Sequence, residues 1–221
     1  MSNKKENCGY KCVSQWVLSG LVFVVIGIGW KYPMLGFFVP LTMAAGMVGG
    51  LMGNGRWVCG NLCPRGSFWD RPLSRVIKNQ RPSPGWLKNL GFRWVVFFSL
   101  IGFMFFRASA DFSSLEHWGK VFWLMCTVTT GIGLVGSLFY HRRFWCVFCP
   151  IGTFSGTVSG NKNQLSIDDE KCVSCHLCDK ACPIAINPEQ YRKEGKINDR
   201  DCLRCQRCIQ ACPKQAISNS N

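Results

Sequence analysis

Long uncharged stretches alternate with short basic ones along most of the chain. Residues 13–30, 33–52, 94–106 and 121–140 contain no Asp, Glu, Lys or Arg. About 20 apolar residues in a helix match the roughly 30 Å hydrocarbon core of a bilayer, so these runs predict four transmembrane helices. Only Lys31 and Tyr32 separate the first two, which predicts a tight hairpin. Pro33 suits a first helical turn, and Pro40 is a candidate kink that a neighbouring helix would have to cover. The third run is short and reaches spanning length if Arg93 and Arg107 snorkel towards the interfaces. Gly46 with Gly50, and Gly49 with Gly53, place small residues four apart, a spacing that lets another helix approach closely. The first run reads as an uncleaved anchor, because a second apolar run follows almost at once and no small-residue cleavage site precedes it.

Charge sets the expected orientation. The loop Gly53 to Arg93 holds eight basic residues and one acid, Asp70. The connection Arg107 to Lys120 is balanced, and His141, Arg142 and Arg143 return to the basic side. By the positive-inside rule, four spans put both termini in the cytoplasm, giving a multi-pass protein of the inner (cytoplasmic) membrane in contact with membrane lipid. Residues 1–160 carry 16 Lys and Arg against 4 Asp and Glu, whereas residues 161–221 carry 10 against 8. The chain therefore divides into 1–160 and 161–221, with the Gly-, Ser-, Thr- and Asn-rich stretch 151–166 expected to be a linker. Basic residues flank apolar runs here instead of lining a polar helix face, which argues against nucleic acid as a partner.

The polar C-terminal part carries the most specific chemistry. Cys172, Cys175, Cys178 and Cys182 precede Pro183, and Cys202, Cys205, Cys208 and Cys212 precede Pro213. Each run is C-x2-C-x2-C-x3-C-P, the spacing by which bacterial ferredoxins hold two [4Fe-4S] clusters with the fourth cysteine crossing to the other cluster. On that rule Cys172, Cys175, Cys178 and Cys212 hold one cluster, and Cys202, Cys205, Cys208 and Cys182 the other. Structural zinc prefers two separated C-x2-C pairs, which these triplet-plus-one runs are not. A secreted disulfide scaffold would need an oxidising compartment. The expected architecture is an α-helical membrane protein: four transmembrane helices as two repeated hairpins, followed by a small α+β two-cluster bacterial-type ferredoxin domain.

The apolar part contains a repeat. Arg56-Trp57-Val58-Cys59-Gly60-Asn61-Leu62-Cys63-Pro64 follows the second run, and Arg143-Phe144-Trp145-Cys146-Val147-Phe148-Cys149-Pro150 follows the fourth. Two hairpins ending in Cys-Pro motifs on one membrane face would bring four thiols together. Cys59, Cys63, Cys146 and Cys149 are then enough for a metal or a third iron-sulfur centre. A redox-active dithiol, copper handling and plain packing remain open for them. Cys126 reads as packing, and Cys8 with Cys12 has helical spacing compatible with a ligand pair. His117, His141 and His176 supply no bis-histidine haem across the bilayer. Trp57, Trp69 and Trp145 at helix ends would border a quinone or anchor at the interface. No dinucleotide fingerprint, nucleotide-binding loop or hydrolytic triad is present.

With these motifs the chain resembles the NapH-type membrane ferredoxins, related to the polyferredoxin parts of NosR and CcoG/FixG proteins. The resemblance runs through the four helices, the two Cys-Pro motifs and the eight ferredoxin cysteines. It departs from the family at the second Cys-Pro motif, which is C-x2-C-P here where the family has C-x3-C-P. No FMN-binding domain precedes the helices and no extra domain follows the ferredoxin, which favours the NapH-like member of the group. The resemblance implies a quinol-linked electron-transfer subunit working with a partner oxidoreductase or electron-carrier subunit. Metal handling or maturation of a redox enzyme, and redox sensing, are the other functional classes.

Overall fold

The computed structural model describes residues 9–77, 81–160 and 163–219, the side chains of 9–13 and 75 excepted. Helix α1 spans Gly9–Ile28. It stops where Lys31 and Tyr32 both donate to the Ile28 carbonyl, making the tight hairpin that the two-residue gap predicts. The chain re-enters as a 3-10 turn, Pro33–Phe37, continues as α2, Phe38–Gly49, and ends in a π turn, Gly50–Asn54. Pro40 falls in the first turn of α2, just after the 3-10 turn passes into the α-helix. Gly53 at φ 77° and Gly55 at φ 55° then turn the chain sharply, which a side chain would oppose.

Short helices follow: α3 (Trp57–Asn61), α4 (Pro64–Asp70), α5 (Pro72–Val76) and α6 (Gly85–Lys88). Two long helices come next, α7 (Leu90–Ala108) and α8 (Leu115–Phe139), started by Asn89 and Ser114 side chains that cap the first backbone N–H groups. Among the described residues, three helices are long and apolar enough to cross a membrane: Pro33–Asn54, Leu90–Ala108 and Leu115–Phe139. Large apolar side chains such as Leu51, Phe98, Phe106 and Leu138 stand exposed on them, as lipid-facing positions do.

Near the start of α1, Gln15 is buried and accepts a 3.0 Å hydrogen bond from Arg71 Nε. One expectation about the helices changes here. Arg93 does not snorkel, because α7 brings it into a buried ion pair with Asp201.

Much of the stretch expected as a linker, 151–166, is instead helix α10 (Pro150–Val158), which follows α9 (Phe144–Phe148) and is buried against α2. Ser155, with no exposed surface, donates to the Gly46 carbonyl at 2.9 Å, and a Cβ at Gly50 would meet Ser155 at 2.8 Å. The small residues that suggested a flexible tether permit close packing, and α10 is the partner of the Gly46/Gly50 face.

In the C-terminal module, β1 (Leu165–Ile167) pairs antiparallel with β2 (Ile217–Asn219), Ser166 facing Ser218. Between them lie α11 (Leu177–Ala181), a 3-10 helix (Pro188–Glu194) and α12 (Arg207–Ala211). Positive φ angles recur at Ser174 and Arg204, at His176 and Gln206, and at Ala185 and Gln215. Equivalent positions of the two cysteine runs thus bend alike. The module has no separate core: Leu165, Ile167, Ile184, Ile197 and Leu203 pack in one cluster with Leu87, Trp145, Val147 and Phe148.

Candidate functional site

The eight C-terminal cysteines gather around two cavities. Cys172, Cys175, Cys178 and Cys212 line one, and Cys182, Cys202, Cys205 and Cys208 line the other. In each run the first three cysteines ride the loop and the first turn of α11 or α12. The fourth ends that helix, and the proline after it leads the chain away. Cys182 and Cys212 therefore sit at the cavity of the opposite run. Backbone N–H groups point at these sulfurs, as from Ala216 to Cys212 Sγ at 3.3 Å. Such donors favour thiolate, while burial pushes the Cys182 thiol up to about 11 and Cys202 up to about 12. Among the described residues, no three Cys, His, Asp or Glu side chains converge on one position as a single metal ion requires. A multi-iron cluster, whose cysteines bind different iron atoms, asks for a wider ring of sulfurs.

The second cavity abuts the membrane-proximal helices. Leu203 presses its carbonyl where a Cβ on Gly60 would be, and Arg204 donates to the Gly53 carbonyl at 2.9 Å. Two buried carboxylates tie the parts together. Asp201 accepts from Arg93 through both oxygens at 2.7 and 2.6 Å and from Arg56 at 2.7 Å. Asp70 accepts from Arg143 at 3.1 and 2.5 Å and from Arg207 at 2.7 Å, with Arg142 at 3.8 Å. Burial raises the pKa of both carboxyls, but the surrounding guanidinium groups outweigh it and hold them below the usual carboxylate range. Sequence reasoning missed this seam. Its signals were the lone acid Asp70 in a basic loop, and an arginine at the same offset before each Cys-Pro motif.

Cys59, Cys63, Cys146 and Cys149 come together at the same seam. Cys63 and Cys149 each occupy a helix N-cap with proline at the first helical position, so Cys-Pro marks the start of α4 and of α10. Cys63 Sγ accepts from the Gly66 N–H at 3.4 Å. Cys59 and Cys146 come from α3 and α9, and each of these two thiols interacts electrostatically with the other three. Burial pushes Cys59 up to about 12 and Cys146 up to about 11, against the pull of Arg56 and Arg143. The Arg56 Nε, Arg65 Nε, Arg65 Nη2 and Thr153 Oγ1 atoms are buried near these motifs without hydrogen-bond partners among the described residues. Four soft thiols beside buried cations and spare donors fit an anionic iron-sulfur group.

The remaining candidates lie elsewhere. Cys126 is half-buried in α8, away from both cysteine groupings. Cys8 lies outside the described residues, as does the side chain of Cys12. His176 is exposed and hydrogen-bonded to Asp179 at 2.9 Å, and His117 bonds the Arg107 carbonyl at 2.9 Å. His141 is fully buried at the seam, with neither ring nitrogen partnered among the described residues. Trp69 and Trp145 flank Gly133 of α8, and Trp57 is exposed.

The comparisons agree with this layout. A family described as a 4Fe-4S dicluster domain matches residues 164–213, which contain all eight C-terminal cysteines. A second, described as a 4Fe-4S binding domain, matches twice, at 35–78 and 120–165. Each of those matches takes in a helix and one Cys-Pro pair. No curated protein and no solved structure matches the chain. The chain thus carries ferredoxin-type 4Fe-4S domains along most of its length, in the C-terminal module and in both halves of the helical repeat.

Proposed function

We propose that this chain is a membrane-anchored electron-transfer protein of NapH type, passing electrons between the quinone pool or a membrane partner and a redox enzyme. In this reading Cys172, Cys175, Cys178 and Cys212 hold one [4Fe-4S] cluster and Cys182, Cys202, Cys205 and Cys208 a second. Cys59, Cys63, Cys146 and Cys149 hold a third iron-sulfur centre. The clusters supply one-electron chemistry when bound; the chain supplies position and environment. The single observation that carries the reading is the packing of Leu203, between two cysteines of the second site, against Gly60, between two cysteines of the Cys-Pro group. It supports a reading of three cysteine sites in series, from the seam with the helices to the exposed Cys175.

The excess of basic residues on the loops that carry the Cys-Pro motifs supports a cytoplasmic position for the module in the inner membrane, with α1 as a fourth span. Anaerobically purified full-length chain, assayed for iron and sulfide and by electron paramagnetic resonance, tests the cluster count. About twelve iron atoms per chain, falling to about eight in a Cys59→Ser/Cys63→Ser variant, is the expected result. About eight in both removes the third centre. Reduction of the clusters by added quinol tests the quinone assignment, and its failure leaves the carrier role standing.

A further inference from the structure

Arg56 and Arg143 each stand three residues ahead of the first cysteine of a Cys-Pro motif, and each serves the other motif. Arg56 donates through Nη2 to the Cys146 carbonyl, and Arg143 through Nη1 to the Cys59 carbonyl at 2.8 Å. Each lies across the glycine that follows the opposite Cys-Pro. A Cβ on Gly152 would strike the Arg56 guanidinium, and one on Gly66 would come within 3.0 Å of Arg143 Nη1. Both arginines are 1% exposed. The two halves of the repeat are thus clasped by exchanged side chains, and each clasp places a permanent positive charge beside the four thiols.

We propose that this crossed pair of arginines positions the group held by Cys59, Cys63, Cys146 and Cys149 and favours its reduced form. The inference rests on the third centre of the proposed function. Reduction adds one electron, with no bond formed or broken, so the negative charge of a buried site rises by one. A nearby cation in a poorly polarisable interior stabilises that charge more than water-exposed cations do. The carboxylates do not cancel the effect. Among the described residues, the five cations Arg56, Arg93, Arg142, Arg143 and Arg207 pair with two carboxylates, Asp70 and Asp201.

The test is a reductive titration of the full-length protein in detergent, followed by electron paramagnetic resonance with iron assayed in parallel, on wild type, Arg56→Gln and Arg56→Lys. Arg93 keeps Asp201 paired in both variants. Arg56→Gln is expected to lower the reduced-to-oxidised ratio of the third signal about tenfold at fixed ambient potential, equivalent to 59 mV for one electron. Arg56→Lys, which keeps the charge without the planar fork, is expected to stay within about twofold of wild type. An unshifted third signal in Arg56→Gln overturns the inference, as does a lysine variant shifted as far as the glutamine one. If Arg56→Gln loses the third signal, the lysine variant decides: a wild-type ratio supports the inference, and a lost or shifted signal overturns it. Wild type with only about eight iron atoms removes the third centre itself and the inference with it, a result distinct from an unshifted signal.

Discussion

The C-terminal module and the helical part are both built from two repeats that trade something, and they trade different things. In the module the exchanged element is a cysteine: Cys182 and Cys212 each line the cavity of the other run. In the helical part it is an arginine, Arg56 reaching Cys146 and Arg143 reaching Cys59. The first exchange is forced by local spacing, because a tight loop offers three sulfurs and the fourth must come from across the pseudo-twofold. The second depends on burial, and the buried cations need carboxylates. Asp70 comes from the helical part, whereas Asp201 comes from the module. One exchange is self-contained, and the other requires the two parts to be docked.

The comparison breaks most completely at Cys212. Cys212→Ser, a change in the second run, is expected to abolish the resonance signal of the site made by the first run and to remove about four iron atoms. A loss confined to the other site would mean that no exchange takes place. Next in size is Asp201→Ala, which leaves Arg56 and Arg93 buried without their carboxylate. A loss of about 3–5 kcal/mol is expected, read as a fall in thermal midpoint and as new proteolytic cleavage between α10 and β1.

His141 tests how deeply the seam is buried. Burial, with Lys88 and Arg142 nearby, pulls its imidazole down to about 4, while Asp201 pushes the other way. The unfolded ring binds a proton near pH 6.5, whereas the folded one resists until about pH 4. Stability is therefore fully present above pH 6.5 and falls by about 3 kcal/mol on the way down to pH 4. Thermal midpoints across that range should drop less steeply in His141→Phe than in wild type. The smallest effect is expected at the contact between the parts. Gly60→Ala, pushed against the Leu203 carbonyl, should cost about 1–3 kcal/mol by overpacking, measured by thermal unfolding.

What could be read from the chain follows the same division. The ferredoxin runs were legible because their chemistry is written in short spacings. The long apolar helices were legible because a bilayer demands length. Where tertiary packing decided, the reading failed. Residues 151–166 look like a tether because they are small and polar, yet small hydroxylated residues let α10 lie close against Gly46 and Gly50. Arg93 looks like a helix-end anchor and is a buried partner of Asp201 from a distant loop, a pairing no local pattern encodes.

The shared core has a consequence for how the protein is made. Ribosomes complete the helices first, and at that moment Arg56 and Arg93 have no Asp201, while Trp145 and Phe148 lack the apolar neighbours that the last sixty residues supply. A nascent chain paused near residue 160 is therefore unfinished in its membrane half as well, and delivery of the C-terminal segment is the step that locks the whole molecule.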